Sequence, residues 1–162
     1  MKGLLLKCES NPAQVLSEML SFLNNEEYSF NLVFVDLTAD KEDEFFDVES
    51  FTSDMAKKMI FHPSLKRFII ALDLFVSKKQ NYFDDVETFR DFLNSDYFLS
   101  LHIIDCSRIA IFCKNQSILA KIKLTFLQYS LENMSIKEIE TVPLNTEMAS
   151  YARNTSTCMW NI

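Results

Sequence analysis

The chain has 162 residues, of which 48% are hydrophobic, and its 23 acidic and 16 basic residues give a formal net charge of −7. This negative charge repels nucleic acids and anionic membranes, so it disfavours a direct DNA or RNA binder and favours a basic protein partner. The single glycine, Gly3, excludes the glycine-rich phosphate loops of nucleotide-binding proteins and the strained nucleophile elbow of many hydrolases.

Strands and helices are predicted to alternate along the chain. Residues 2–8 are predicted to form a strand, and Asn11 followed by Pro12 predicts the start of a helix, because Asn caps helices and Pro suits their first position. Hydrophobic periodicity then predicts a strand at 28–37, a helix at 50–61, a strand at 67–76, strands at 98–106 and 109–113, a helix at 115–131 and a strand at 136–142. Between the strands at 67–76 and 98–106, the spacing of Val86, Phe89, Phe92 and Leu93 predicts a short helix with Asp84 and Asp85 at its N-terminus.

This order of elements predicts an α+β fold. The strands at 98–106 and 109–113 are separated by a turn too short for a parallel crossover, so they must pair antiparallel. We expect a mixed, partly antiparallel sheet with helices packed on its face or faces, in a single-domain sandwich that spans residues 1–162. The polar segment 143–162 is expected to form a last strand or to stay loose until a partner orders it.

The sequence predicts neither a membrane span nor a secretory signal. The apolar run at 68–72 is far shorter than the roughly 20 residues that cross a bilayer, and Lys7 interrupts the N-terminal apolar run. We therefore expect a cytoplasmic protein. In that reducing compartment the four cysteines are expected to be buried thiols, and both histidines are expected to be structural: Cys8, Cys106, Cys113, Cys158, His62 and His102.

Three predicted strands share a run of apolar residues that ends in aspartate: Asp36, Asp73 and Asp105. If the strands were parallel neighbours, the three carboxylates would meet at one edge of the sheet and could hold a divalent cation or form an acid–base pair. Asp also ends strands for a local reason, because its side chain bonds the backbone of the following turn. We expect this structural role and no metal, with the metal cluster as the alternative.

The acidic stretch at 40–49 is the strongest functional signal in the sequence. Six carboxylates flank two adjacent phenylalanines, which suits a binding surface because the acids attract a basic protein and the rings supply desolvated contact area. The residues predicted to bind a partner are Asp40, Glu42, Asp43, Glu44, Phe45, Phe46, Asp47 and Glu49. The alternative is a solvated loop whose two phenylalanines pack into the core. A second acidic run (Asp84, Asp85, Glu87 and Asp91) is attributed to compensation of the dipole of the short helix.

Between about residues 65 and 140 the chain resembles an uncharacterised bacterial family that is known only as a domain of unknown function. Four segments carry the resemblance, namely 68–74, 89–96, 103–106 and 111–115. They are scaffold motifs, and the family offers no catalytic residue to transfer.

In general character the chain is also similar to immunity proteins of bacterial toxin systems, including contact-dependent growth inhibition. Proteins of that type are small, acidic and cytoplasmic, and act without a cofactor. The expected function is therefore a non-enzymatic binding protein that neutralises a basic, nuclease-type toxin. The alternatives are a small metal-dependent enzyme that uses Asp36, Asp73 and Asp105, and a structural protein that forms homo-oligomers.

Overall fold

The computed structural model describes residues 3–8, 12–24, 27–37, 52–61, 69–80, 82–104, 107–128, 134–139 and 144–147. Within these ranges six strands form one sheet: β1 (Gly3–Cys8), β2 (Ser29–Leu37), β3 (Ile69–Ser77), β4 (Tyr97–Ile104), β5 (Arg108–Cys113) and β6 (Met134–Ile139). The described part of the chain also contains four α-helices: α1 (Pro12–Leu20), which continues into a 3-10 turn at Ser21–Leu23, α2 (Ser53–Phe61), α3 (Phe89–Asn94) and α4 (Gln116–Gln128).

The sheet has the strand order β2-β3-β4-β5-β1-β6. Each described pairing is antiparallel, including the expected pair of β4 with β5. The predicted α+β class is therefore confirmed, and the sheet is more completely antiparallel than the partly antiparallel sheet that the sequence suggested. Among the described residues, no helix is long and apolar enough to cross a membrane.

Helices α1, α2 and α4 cover one face of the sheet. Strand alternation turns Leu72, Leu74 and Val76 of β3 toward these helices, and their apolar side chains meet helix residues that recur at three- and four-residue spacing. The buried residues that the helices contribute are Val15, Leu16, Met19, Leu20, Ala56, Ile60, Leu119, Ile122 and Phe126. This is the main hydrophobic core.

The opposite face of the sheet packs against the short helix α3. Its cluster is strongly aromatic and consists of Leu5, Phe75, Phe89, Phe92, Tyr97, Ala110, Phe112 and Ile139. Because α3 has only six residues, it is held by the apolar side chains that it buries, and not by helix propensity.

The single glycine has a packing role between β1 and β5. A Cβ atom at Gly3 would lie 2.7 Å from Cδ1 of Phe112 and 2.9 Å from the carbonyl oxygen of Ile111. Only a residue without a side chain leaves room for the Phe112 ring at this position. Gly3 therefore serves the aromatic face of the sheet.

Residues 144–147 lie beside the start of α3. The backbone N–H groups of the first two residues of the helix donate to the carbonyl oxygens of Thr146 (3.2 Å) and Leu144 (2.8 Å). These donors have no partner inside a helix, so the segment acts as an external cap. The rest of the predicted C-terminal segment 143–162 lies outside the described residues.

Candidate functional site

An exposed phenylalanine projects from the connection between β3 and α3. Phe83 is 76% exposed, which is the largest exposure among the big hydrophobic side chains of the described residues. Three exposed carboxylates lie next to it in the chain, on Asp84, Asp85 and Glu87. We call residues 82–87 the acidic Phe83 loop.

The dipole of α3 does not account for these acids. The helix begins at Phe89, with Thr88 as its N-cap, so the prediction that Asp84 and Asp85 lie at its N-terminus is wrong. Asp91 alone fills the acidic position in the first turn, where its carboxylate accepts bonds from the Thr88 N–H (2.8 Å) and hydroxyl (2.6 Å). These hydrogen bonds hold the pKa of Asp91 below its usual value. Asp84 and Asp85 precede the cap, beyond the first turn to which the dipole effect is confined.

Hydrogen bonds fix the acidic Phe83 loop to the sheet. The Tyr82 hydroxyl donates to the Asp84 carboxylate (2.8 Å) and accepts from the backbone N–H of Asp96 (2.9 Å). The backbone N–H of Asp84 donates to the Tyr97 hydroxyl at 3.1 Å. The side-chain amide of Asn31, on β2, donates to the same hydroxyl and to the backbone carbonyl of Tyr82. A loop with this many anchors presents Phe83 without first having to be ordered.

The two tyrosines of this network also pack against each other. Their ring centroids are 4.9 Å apart, with the planes at 70°. Loss of hydration, reinforced by the carboxylates of Asp84 and Asp96, raises the pKa of Tyr82. Tyr82 therefore keeps its proton at neutral pH and remains a hydrogen-bond donor to Asp84.

A second polar feature is a hydrogen-bonded histidine and aspartate under the aromatic face. Asp73 and His102 lie directly opposite each other on β3 and β4, and Nδ1 of His102 is 2.6 Å from Oδ1 of Asp73. His102 is only 1% exposed, and the rings of Phe75 and Phe112 lie 5.9 Å and 6.1 Å from its centroid. The carboxylate fixes the imidazole in one orientation, as it would in a catalytic dyad.

The buried pair lacks the other features of an acid–base site. Among the described residues, Nε2 of His102 has no hydrogen-bond partner, and neither does the buried hydroxyl of Ser100 two residues earlier on the same face. The two groups are therefore not joined as a nucleophile and its base would be. The expected structural role of His102 fits this setting, although only one of its ring nitrogens is satisfied.

The metal alternative depended on the directions of three strands. β2, β3 and β4 are neighbours but run antiparallel, and Asp73 lies inside β3 where it pairs with His102. Asp105 and the side chain of Asp36 lie outside the described residues. Within the described part of the chain, no three His, Cys, Asp or Glu side chains are grouped to hold a metal ion.

The other predicted residues are only partly described. The acidic stretch at 40–49 lies outside the described residues, so its role stays a prediction. Cys113 is a buried free thiol, as expected, and donates to the carbonyl of Asn115 at 3.2 Å. Burial raises the pKa of Cys113 to about 11, so this thiol is a poor nucleophile at neutral pH.

Sequence reasoning missed the acidic Phe83 loop, although two signals could have found it. Tyr82 and Phe83 stand beside two acids, which repeats the pattern of adjacent aromatic and acidic residues seen at 40–49. Thr88 and Asp91 have the spacing of a capping box, which places the start of the helix after the acids and leaves those acids unexplained.

The chain belongs to a family described as "Protein of unknown function (DUF2691)", whose model matches residues 1–146. The match extends well beyond the region 65–140 in which the sequence resembled a family of unknown function, and it includes β1, α1, β2 and α2. No curated protein and no solved structure shows significant similarity to the chain.

Proposed function

We propose that this DUF2691 protein is a non-enzymatic binding protein that captures a basic protein, most concretely as an immunity protein that neutralises a bacterial toxin. One observation carries the proposal: Phe83 is 76% exposed among Asp84, Asp85 and Glu87, on a loop anchored to the sheet. Keeping an aromatic ring of this size in water is unfavourable, and burial of the ring by a bound partner would remove that cost.

The two kinds of side chain in the loop have different tasks. The carboxylates attract a partner rich in Lys and Arg and speed the encounter, but each exposed charge adds little affinity. The Phe83 ring supplies apolar area that leaves water in the complex, and such central aromatic anchors commonly carry most of the binding free energy. Since the Tyr82 and Tyr97 hydroxyls already hold the loop, little of that free energy is lost to ordering it.

We propose that the stretch at 40–49 binds the same basic partner as a second acidic and aromatic segment. It also combines adjacent acids with an aromatic pair, here Phe45 and Phe46. Together with the net charge of −7, the two elements favour a strongly cationic partner, such as a nuclease-type toxin whose active site binds phosphates.

The Asp73–His102 pair is the observation that most favours an enzyme. A catalytic imidazole must reach the proton that it transfers, within hydrogen-bond distance or through one water. His102 is 1% exposed and its ring lies beside those of Phe75 and Phe112, so the described part of the chain buries Nε2 and does not present it to a substrate. We therefore assign the pair a structural role.

Calorimetry with a candidate toxin tests the proposed function. The probe is the protein encoded by the reading frame directly upstream, produced as an inactivated variant. Phe83→Ala should weaken its binding at least about tenfold, because a buried aromatic anchor commonly contributes 1.4 kcal/mol or more. Leu124→Ala is the matched control, since Leu124 is 61% exposed but lies on α4, on the other face of the sheet.

Two results would contradict the proposal in different ways. Equal affinity for wild type and Phe83→Ala would remove the acidic Phe83 loop from the interface. Failure of the wild-type protein to bind the upstream product, and to protect cells that express its active form, would refute the immunity function.

A further inference from the structure

A lysine of this chain already occupies a binding position for a cation beside the acidic Phe83 loop. The Lys79 ammonium group is 3.3 Å from Oδ2 of Asp96 and 5.1 Å from the centroid of the Tyr82 ring. Carboxylate and ring thus contact the same ammonium group. We call the Tyr82 ring and the Asp96 carboxylate the cation seat.

The cation seat does not need Lys79 to keep its shape. The Tyr82 hydroxyl accepts a 2.9 Å bond from the Asp96 N–H, which holds the ring and the residue that bears the carboxylate together. The hydroxyl's bond to Asp84 and the packing of the ring on Tyr97 fix Tyr82 from the loop and from the sheet. The seat is therefore preformed on the rigid part of the molecule.

The resident ammonium group is easily exchanged. The side chains of Lys79 and Asp96 are both more than half exposed, and exposed ion pairs contribute little because water and salt screen them. The ammonium group itself stays largely in water, so its contact with the partly buried Tyr82 ring is also weak. A depression of about 300 Å³, lined by Ser77, Lys78, Lys79 and Asp96, opens beside the seat and leaves room for another side chain.

We propose that the cation seat receives a lysine side chain of the basic partner, and that Lys79 fills the seat only in the free protein. The proposal rests on the proposed function, since it takes the protein held at Phe83 to be the source of that lysine. An ammonium group fits the seat because the Lys79 group that occupies it is itself an ammonium group. The incoming lysine would make the same two contacts, with the Asp96 carboxylate and the Tyr82 ring.

The exchange lets the surface distinguish a lysine of the bound partner from cations in solution. Lys79 is tethered to the sheet, so its effective concentration at the seat far exceeds that of a free cation in solution. A lysine of a partner that is already bound at Phe83 is also held near the seat, so its effective concentration there is comparable with that of Lys79. Isolated cations in solution are outcompeted by Lys79.

Two neighbouring lysines provide a matched test. Lys79→Ala and Lys78→Ala each remove one positive charge, but Lys78 has no ion pair or ring contact with the described residues, so only the first variant empties the seat. The probe is an acetylated, amidated octalysine peptide, titrated while NMR follows the protein. We expect Lys79→Ala to bind the peptide about threefold more tightly than Lys78→Ala, with the largest shifts at the Tyr82 ring and the Asp96 amide.

A further variant separates the seat from general charge effects. Lys79→Ala combined with Asp96→Asn keeps the backbone bond to Tyr82 and removes the carboxylate, so the gain over Lys78→Ala should disappear. Equal affinity of the two single variants, or shifts that avoid Tyr82 and Asp96, would overturn the proposal. These outcomes are independent of the Phe83→Ala result, so failure of the seat and failure of the proposed function are told apart.

Discussion

Replacing Phe112 with alanine should lower the free energy of unfolding by about 3–5 kcal/mol, as is typical when a large buried aromatic side chain is removed. The ring is fully buried and packs edge-on against Phe89 at 4.7 Å, where it joins β5 to α3. Its loss would leave a cavity above Gly3 and beside His102 that the rigid sheet cannot close. Urea denaturation followed by circular dichroism measures the change.

Leu127→Ala is the control for this experiment. Leu127 is half exposed on α4, so its truncation should change the stability by no more than about 0.5 kcal/mol. If Phe112→Ala lost no more stability than this control, the packing of α3 on the aromatic face would be contradicted.

Replacing Asp73 with alanine should lower the free energy of unfolding by about 1–3 kcal/mol, since Nδ1 of the buried His102 would lose its partner. Asp73 itself is 24% exposed and can be hydrated, so the cost arises mainly on the histidine side. Denaturation of Asp73→Ala, His102→Phe and the double variant measures the coupling between the two residues.

The double variant decides whether the pair is structural. His102→Phe places an apolar ring between Phe75 and Phe112, so Asp73→Ala in that background leaves no buried polar group unpaired. We therefore expect the double variant to be more stable than Asp73→Ala alone. A double variant that loses the full sum of both single effects would show that the two residues do not act as a pair.

Local signals predicted most of the elements. The Asn11-Pro12 start of α1, the closely spaced strands β4 and β5 and the apolar periodicity of α4 depend on neighbours in the chain, and the structure has each of these elements close to its predicted bounds. The start of α3 was misplaced because Asp84 and Asp85 resemble the acids of a first helical turn. The actual cap is Thr88, whose hydroxyl accepts the Asp91 N–H.

Pairings between distant segments could not be predicted. The side-chain pattern of a strand shows which residues are buried, but not which strand lies beside it or in which direction. Asp73 was therefore grouped with Asp36 and Asp105 by its position after an apolar run, whereas the sheet register places it opposite His102. The hydrogen bond from Asn31 to Tyr82 joins residues 51 positions apart in the chain, so local sequence patterns could not predict it either.

These pairings connect the fold to the proposed function. β2 and β4 supply the anchors of the acidic Phe83 loop, and the aromatic face fixes α3 at its other end. A binding surface held by a rigid scaffold at both ends needs little reorganisation when the partner arrives. The exposed ring and carboxylates can then act as a preformed docking element.

The most direct test of the central claim, that this protein acts by binding and performs no chemistry, is a titration of stoichiometry. The active product of the upstream reading frame is assayed after incubation with increasing amounts of the purified chain. We predict a linear loss of toxin activity that is complete at one equivalent, because each molecule blocks one toxin. Inactivation of many toxin molecules by one molecule of the chain would contradict the claim and point to catalysis.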